Sequence, residues 1–424
     1  MESVSSKAII QYKEKPLYFS DFIFYVGVFL LPFDNLAIAP TAGWAAIAPL
    51  VFFLYVLLNI NVVKVSLKSL IFTFAIVILT SFCYVLYNPA LSAIIDTLST
   101  IVLGICFYFS LYVHFIIKDN SPKIFLKVLF IAYSISLLYG LAYLTGVEAI
   151  ERIMISIEKR HSGRLQFTFT EPSFISMHLF GVILPCIIIF KENKKQVFGL
   201  KILLVLFVLV TCIMASSTRF ILDTAVVICI YFACRFFNSG INLKKIFIII
   251  FGVFAVILAF RIIKDNPRLS QVLDKGIYAD DSLAARWFRI NAIIKGIIQK
   301  PSSLLTGFGL GNASIPFNLG YDAAFSEYRS EYLVEILSIK GTTNTSFFCG
   351  HLRVIAEVGL VLYLALMVAL IKTKDKKYRS WFFIWLIIYL YVQFDSYAFY
   401  SIWLFIFNKT YRNGHYRLSS RKNL

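Results

Sequence analysis

Residues 198–215 read FGLKILLVLFVLVTCIMA, with Lys201 as the one charged residue, and Ser216-Ser-Thr-Arg219 follows them directly. An α-helix of this length spans about 27 Å, close to the thickness of the hydrocarbon core of a bilayer. Apolar blocks of similar length recur along the chain, in which 59% of the residues are hydrophobic and 15% are charged. No soluble packing arrangement buries that much apolar surface, so the sequence predicts an all-α polytopic membrane protein.

Twelve apolar blocks are candidate membrane spans. They cover 17–33, 43–60, 69–88, 91–117, 123–147, 174–190, 198–215, 219–237, 244–263, 347–371, 380–395 and 396–408. The sequence therefore divides into spans 1–9 (1–263), a large polar loop (264–346), and spans 10–12 with a basic tail (347–424). The last two blocks are short and share the turn Gln393-Phe-Asp-Ser-Tyr397, so 380–408 could also be one span and a re-entrant segment.

The distribution of basic residues predicts the orientation. Lysines and arginines concentrate at both ends of the chain and in alternate connections, whereas the connections at 34–42, 88–90 and 393–396 contain none. Short basic loops stay in the cytoplasm, while long loops cross the membrane largely regardless of charge. We therefore expect both termini in the cytoplasm and the large loop in the periplasm. This arrangement, with contacts to anionic lipid, accounts for the net charge of +18 without nucleic acid as a partner.

Cysteine and histidine positions indicate neither a disulfide framework nor a metal site. Six of the seven cysteines lie within apolar blocks, and Cys349 lies at the edge of one. The large loop contains no cysteine, and no Cys/His cluster along the sequence has the spacing of metal ligands. The sequence predicts no metal and no cofactor.

Two charged pairs open predicted spans on the outer side. Arg219 and Asp223 begin the eighth span, and Arg353 and Glu357 begin the tenth, with His351 one turn above. Their i,i+4 spacing places each pair on one helix face. A charge within a span is costly and marks a candidate functional site. The alternative is that each pair neutralises itself and only fixes helix packing.

The smaller outer loop before the sixth span carries a second group of candidates. It contains Arg160-His-Ser-Gly-Arg164 and then Glu171-Pro-Ser173. Pro172 and Ser173 are typical of a helix start, where the positive end of the helix would favour Glu171. Glu171 could therefore be a functional carboxylate or only a compensating charge. Four isolated polar residues in other spans are interpreted as helix-interface groups: Asp96, His114, His178 and Asp395.

The large loop contains a predicted amphipathic helix. Asp280-Asp-Ser282 precedes 283–299, where Trp287, Ile290, Ile294 and Ile297 recur at helical spacing, and Pro301 ends the pattern. This helix could rest on the bilayer surface or roof a cavity. Arg286 and Arg289 lie near its start.

Two further patterns follow in the large loop. The glycines of Gly307-Phe-Gly309-Leu-Gly311 would let the backbone approach a ligand or make a tight turn. Without a following Gly-Lys-Ser/Thr, this stretch is not a nucleotide-binding P-loop. Glu327, Glu331 and Glu335 form an i,i+4 stripe beside Tyr328 and Tyr332. The stripe could be a solvated acidic face, or the tyrosines could stack on sugar rings.

The order of these motifs resembles the O-antigen polymerase and ligase superfamily of polytopic glycosyltransferases. The order is Arg164, Glu171-Pro-Ser173, Ser-Thr-Arg219, one large loop with Ser282-x-x-x-Arg286 and Gly307-x-Gly309-x-Gly311, and Glu357-x-Gly359-Leu360. Ligases of this superfamily typically show a His-Asn pair about nine residues before the Glu-x-Gly. Phe348 and Cys349 stand there in this chain, a departure that favours a polymerase.

The resemblance implies a GT-C-like membrane glycosyltransferase in the bacterial inner membrane. Such a polymerase joins undecaprenyl-pyrophosphate-linked oligosaccharide repeats at the periplasmic face and releases undecaprenyl pyrophosphate. Both donor and acceptor are lipid-linked, and membrane lipids and a chain-length regulator protein are further partners. Arginines suit the leaving group, because a guanidinium pairs bidentately with phosphate oxygens and stays charged in a partly dry site.

The expected catalytic residues follow from this chemistry. Arg219, Arg286 and Arg353 are expected to stabilise the departing pyrophosphate, with Arg164 as a further phosphate ligand. Glu357, His351 or Glu171 could accept the proton of the acceptor hydroxyl. The remaining expected substrate-binding residues are Arg289, Asp223, Gly309, Gly311, Tyr328 and Tyr332.

Two other functions remain open from the sequence. One is the ligase of the same superfamily, which transfers finished polymer to lipid A core. The other is a flippase of lipid-linked oligosaccharide, which would need charges along a path through both leaflets. The clustering of Arg219, Arg353 and Glu357 on the outer side, and the absence of an internal sequence repeat, both argue against the flippase.

Overall fold

A computed structural model describes residues 18–34, 46–63, 65, 67–88, 90–144, 165–169, 171–214, 218–237, 267–331, 333–342, 348–372 and 378–422. Within these ranges the fold is all-helical and contains no β-strand. Three elements of the sequence prediction lie outside them: the ninth span at 244–263, Arg164 and Tyr332.

The described helices before the large loop are α1 (Phe19–Leu30), α2 (Ile47–Leu58), α3 (Leu67–Tyr87), α4 (Leu91–Tyr112), α5 (Pro122–Leu144), α6 (Phe174–Ile189), α7 (Lys194–Met214) and α8 (Thr218–Phe237). The large loop contains α9 (Pro267–Lys275), α10 (Asp281–Gln299), α11 (Ser303–Thr306), α12 (Ser314–Phe325) and α13 (Val334–Ser338). The chain continues through α14 (Gly350–Val358), α15 (Leu360–Ile371), α16 (Tyr378–Tyr391) and α17 (Tyr400–Lys422).

Several of these helices have the length and composition to cross a membrane. Among the described residues, four apolar stretches reach full length: Leu91–Ile117, Pro122–Ala142, Lys194–Ile213 and Arg219–Phe237. Shorter apolar helices are Phe19–Leu30, Ile47–Leu58, Thr73–Tyr87, Phe174–Ile189 and Leu360–Ile371. The chain is therefore a helical membrane protein, while the number of twelve spans stays a prediction.

The region of the last three predicted spans differs from the expected pattern. The predicted span 347–371 is interrupted at Gly359. Helix α14 ends at Val358, and Gly359, with a left-handed φ of 84°, separates it from α15. A β-carbon at Gly359 would also collide with the Leu305 carbonyl. Farther on, α16 and α17 are separate helices, joined by the turn at 392–399.

The membrane body contains two buried Asp–His–Tyr networks, one at each end of α1. Asp21 lies 3.5 Å from His114, which also bonds Tyr25. Asp34, just beyond the other end, pairs with the buried His178, whose second ring nitrogen is hydrogen-bonded to the Tyr133 hydroxyl. The networks tie α1 to α4, α5 and α6, as the sequence interpretation of His114 and His178 as interface groups expects.

The large loop has its own hydrophobic core. Phe288 and Ile293 of α10 pack against Phe317 and Tyr321 of α12. The two helices approach closely because Gly296 and Gly320 face the partner backbone, where a side chain would collide with carbonyl oxygens. Asp280 caps α10 by accepting a hydrogen bond from the Leu283 amide at 2.9 Å, as predicted for a helix starting there.

The acidic stripe predicted in the large loop does not form, because residues 326–331 and Leu333 are not helical. Glu327 pairs with Lys295 at 2.6 Å, and Glu335 pairs with Arg289 at 2.7 Å. Hydrogen bonds from Lys295 and Asn291 lower the pKa of Glu327. The acids thus bind basic residues of α10 rather than forming one common face.

Candidate functional site

The turn between α16 and α17 is the point where the predicted site residues meet. Gln393 contacts Arg219 and Asp223, and the Asp395 carbonyl accepts a hydrogen bond from Arg353. The Asp395 carboxylate acts electrostatically on both Arg353 and Arg289. One short turn therefore links the charged starts of α8 and α14 to the large loop.

Arg353 is held by protein partners on all three guanidinium nitrogens. Nε donates to Glu357 at 3.1 Å, and the two terminal nitrogens donate to the Asp395 carbonyl and the Thr97 hydroxyl, each at 3.0 Å. The ring of Tyr397 lies 5.0 Å from the guanidinium carbon. Arg353 thus fastens α14 to α4 and to the 392–399 turn.

Arg219 is held differently. Its Nε donates to the Gln393 side chain at 2.7 Å, and its nearest carboxylate oxygen, on Asp223, is 3.8 Å away. Asp223 instead accepts from Tyr389 and the Gln393 amide. The Phe394 ring stacks on the guanidinium at 4.4 Å. Neutral and aromatic groups therefore orient Arg219, and no carboxylate bonds it directly within the described residues.

A second cation lies within electrostatic range of Arg219. It is Arg286 of the large loop, and Glu171 also acts electrostatically on Arg219. Two arginines and a carboxylate that are far apart in sequence therefore act electrostatically on one another. Guanidinium groups are suited to bind an anion such as a pyrophosphate.

Arg286 and Arg289 share one aromatic platform. Each guanidinium carbon lies 4.9 Å from the centre of the Phe348 ring. Phe348 has a φ of 54°, a left-handed conformation that bulky residues rarely adopt. Burial lowers the pKa of Arg289, and its bond to Glu335 counteracts this effect. Because of this pairing, Arg289 is engaged within the large loop, and Arg286 lies within electrostatic range of Arg219.

The three candidate bases have different surroundings. Both carboxylate oxygens of Glu357 accept hydrogen bonds, from Arg353 at 3.1 Å and from Tyr397 at 2.6 Å. His351 contacts the Ile388 carbonyl and the Tyr363 hydroxyl through its two ring nitrogens. Glu171 is exposed, and its Oε2 accepts from Ser173 at 3.0 Å. Of the three, Glu171 is the carboxylate in contact with solvent and near Arg219.

The glycine motif packs against protein backbone. The Phe308 and Gly309 amides donate to the carbonyls of Ala356 and Glu357 at 2.8 Å. A side chain on Gly307 would collide with the Glu357 carbonyl, and one on Gly311 would meet the Ala93 carbonyl at 2.8 Å. The motif therefore packs the end of α14 against α3 and α4. Ligand contacts of Gly309 and Gly311 stay a prediction.

Some predicted residues lie elsewhere. Tyr328 packs against the rings of Tyr278 and Phe288, at 5.7 and 5.5 Å, in the core of the large loop. Ser173 precedes α6 but makes no capping bond, since its hydroxyl donates to Glu171. Among the described residues, no group of three His, Cys, Asp or Glu side chains could hold a metal ion, and metal independence stays a prediction.

The sequence reasoning did not select Gln393, Phe394, Tyr397 or Phe348 as site residues. The first three belong to the polar turn between two apolar blocks that connects predicted spans on the outer side. A polar turn on the same side as two charged pairs was the signal that could have identified them. Phe348 stood out only as a departure from the ligase pattern.

Comparison of the chain with protein-family models, with curated proteins and with solved structures finds no match.

Proposed function

We propose that this chain is a membrane glycosyltransferase that polymerises lipid-linked oligosaccharide repeats at the outer face of the bacterial inner membrane. The observation that carries the proposal is the setting of Arg219, whose Nε bonds the neutral Gln393 side chain at 2.7 Å while the nearest Asp223 oxygen is 3.8 Å away. A ligand with several negative charges would supply a direct anionic partner for this guanidinium. A lipid pyrophosphate is such a ligand, and its tail keeps it at the headgroup level where helix ends lie.

In the proposed reaction, the donor is the growing chain on undecaprenyl pyrophosphate. Arg219 and Arg286 bind the pyrophosphate oxygens and stabilise the charge that develops on them, which is usually the largest catalytic contribution. A hydroxyl of the next lipid-linked repeat attacks the anomeric carbon. The new carbon–oxygen bond forms, the bond from that carbon to the pyrophosphate oxygen breaks, and undecaprenyl pyrophosphate leaves with the electron pair.

Glu171 is the proposed base. Its exposure allows contact with an acceptor hydroxyl, and Ser173 orients its carboxylate. The acceptor proton moves to Glu171 as the new bond forms. Glu357 has its oxygens occupied by Arg353 and Tyr397, so it serves to hold Arg353 in place. In this scheme Arg353 positions the 392–399 turn, and through it the Gln393 that orients Arg219.

The direct genetic test is disruption of the gene in its source strain. We expect surface lipopolysaccharide with at most one repeat, because single units can still be ligated when polymerisation stops. A normal ladder of chain lengths in the disrupted strain would overturn the proposal. The same gel separates the ligase, since loss of a ligase leaves no attached repeat while lipid-linked polymer accumulates.

A carrier of lipid-linked oligosaccharide is the second candidate, and one observation favours it. The Asp34–His178 pair is buried within the helical body, with Tyr133 bonded to the same histidine. Ionisable residues buried among membrane helices often belong to ion or proton pathways of transporters. Accumulation of lipid-linked repeats on the cytoplasmic face after gene disruption would select the carrier, whereas accumulation on the periplasmic face would select the polymerase.

A further inference from the structure

Helix α10 has two apolar faces, of which one has no protein partner in the described structure. Ala285, Phe288 and Ile293 fill the core of the large loop. On the other side, Trp287 and Ile298 are 41% and 67% exposed, and Ile294 between them is 40% exposed. The predicted apolar stripe included Ile297. That position was wrong, because Ile297 is buried. Exposed apolar side chains along one helix face are candidates for a contact surface.

The exposed stripe continues into the lipid-facing surface of the membrane body. Just after α10, Lys300 lies 5.0 Å from the ring centre of Tyr87, at the end of α3. Farther along, Leu304 and Leu305 are 36% and 66% exposed, and the Leu305 carbonyl abuts Gly359 at the start of α15. Both α3 and α15 expose apolar side chains, with Val85 at 85% and Val361 at 60%. The stripe and these helices therefore form one surface.

The composition of this surface fits a membrane interface. A tryptophan at one end and exposed isoleucines along the helix match the apolar side of an interfacial helix. Lys300 at the other end is exposed and can reach lipid phosphates while its methylene groups cover apolar atoms. The half-buried Arg286 precedes Trp287 near the start of the helix.

We infer that α10 lies in the outer headgroup layer of the bilayer, with Trp287, Ile294 and Ile298 inserted among the lipid chains. The partner of this face is the lipid surface itself. This contact does not depend on the proposed function, although it would hold Arg286 at the depth of a lipid-linked pyrophosphate. Such an anchored helix provides one wall of the site and stays fixed to the membrane.

Spin-label depth measurements on the full chain in lipid nanodiscs test this inference. A nitroxide is attached at Ile298→Cys, in a chain whose exposed Cys229 is changed to serine. Val205→Cys on α7 is the lipid control, and Asp322→Cys, where the native side chain is 81% exposed, is the water control. Ile294→Cys provides a second position if the first variant does not fold.

We expect the label at 298 to collide with oxygen several-fold more often than with a water-soluble nickel chelate, as at Val205. A label that meets the nickel chelate as freely as Asp322 would show that the stripe faces water or an aqueous cavity, and would overturn the inference. Exclusion of both reagents would also overturn it, because the stripe would then be covered by protein. The measurement needs no substrate, so its outcome is separate from that of the proposed function.

Discussion

The starts of α8 and α14 carry the same sequence pattern, an arginine and an acid four residues apart, but the two pairs are built differently. Arg353 and Glu357 bond directly at 3.1 Å, and further bonds to Thr97 and the Asp395 carbonyl complete the arginine's environment. Arg219 bonds the neutral Gln393 instead and stands 3.8 Å from Asp223. In the first pair the arginine donates a hydrogen bond to its own acid. In the second pair the arginine donates to a neutral amide instead.

This difference assigns the two pairs separate roles. A directly paired, buried arginine contributes mainly to the fold, since removal of either partner leaves an uncompensated charge. An arginine oriented by a neutral amide and an aromatic ring can still form charge-assisted hydrogen bonds with an anionic ligand. Because Gln393, Asp395 and Tyr397 belong to one turn, a disturbance of the Arg353 pair reaches Arg219 through the five residues 393–397.

Replacement of Arg353 by methionine should have the largest effect. It leaves the buried Glu357 without its cation, and loss of one partner of a buried pair costs about 3–5 kcal/mol. We expect little folded protein, measured by size-exclusion chromatography and thermal melting in detergent. The double change Arg353→Met with Glu357→Met should recover much of the melting temperature. Equal stability of the Arg353→Met single variant and the unchanged chain would contradict a structural role for this pair.

Replacement of Arg219 by lysine should leave the fold intact and abolish most activity. Lysine keeps the charge but loses the planar fork, and loss of one such donor lowers the rate by a factor on the order of 10³. Polymer length on gels and polymerisation by purified protein measure the effect. Arg235→Lys, at an exposed position on the same helix, is the matched control and should stay fully active. Full activity of Arg219→Lys at normal protein level would remove Arg219 from the pyrophosphate site.

Replacement of Glu171 by glutamine should lower the rate by a factor on the order of 10², because the amide cannot accept the acceptor proton. We expect the loss in kcat with little change in KM, since the shape of the side chain is preserved. Glu192→Gln is the control, as Glu192 is 83% exposed and lies at the other end of α6. A Glu171→Gln variant with unchanged kcat, or a larger loss in Glu357→Gln that is properly folded, would assign the base elsewhere.

Replacement of Phe348 by leucine should have the smallest effect of the four. It removes the aromatic ring that both Arg286 and Arg289 face, and each such contact contributes about 0.5–1 kcal/mol. We expect a roughly 5- to 10-fold rise in KM for the lipid-linked donor. Phe348→Tyr retains a ring and should stay close to the unchanged chain. Similar kinetics of the leucine and tyrosine variants would show that the ring does not position the arginines.

The membrane character and the helices were predictable from the sequence, because apolar length and composition depend only on local residues. The start of α10 follows from the same kind of local signal, because Asp280 caps it as predicted. The break at Gly359 was not predicted, since an apolar block gives no sign of a left-handed residue within it.

The site was predictable only in part. Helical periodicity correctly placed Arg219 beside Asp223 and Arg353 beside Glu357. It could not show that Gln393 would replace Asp223 as the hydrogen-bond partner of Arg219, because that contact joins residues 174 positions apart. The acidic stripe of Glu327 and Glu335 was wrong because long-range pairing with α10 replaced helix formation there.

The most direct measurement is polymerisation by the purified chain in nanodiscs, supplied with lipid-linked single repeats that accumulate in the disrupted strain. We expect a ladder of longer lipid-linked products, with one undecaprenyl pyrophosphate released for each bond formed, and almost none of either with the folded Arg219→Lys variant. If the unchanged chain forms no longer products and releases no undecaprenyl pyrophosphate, the chain is not a polymerase and the arginines serve another ligand.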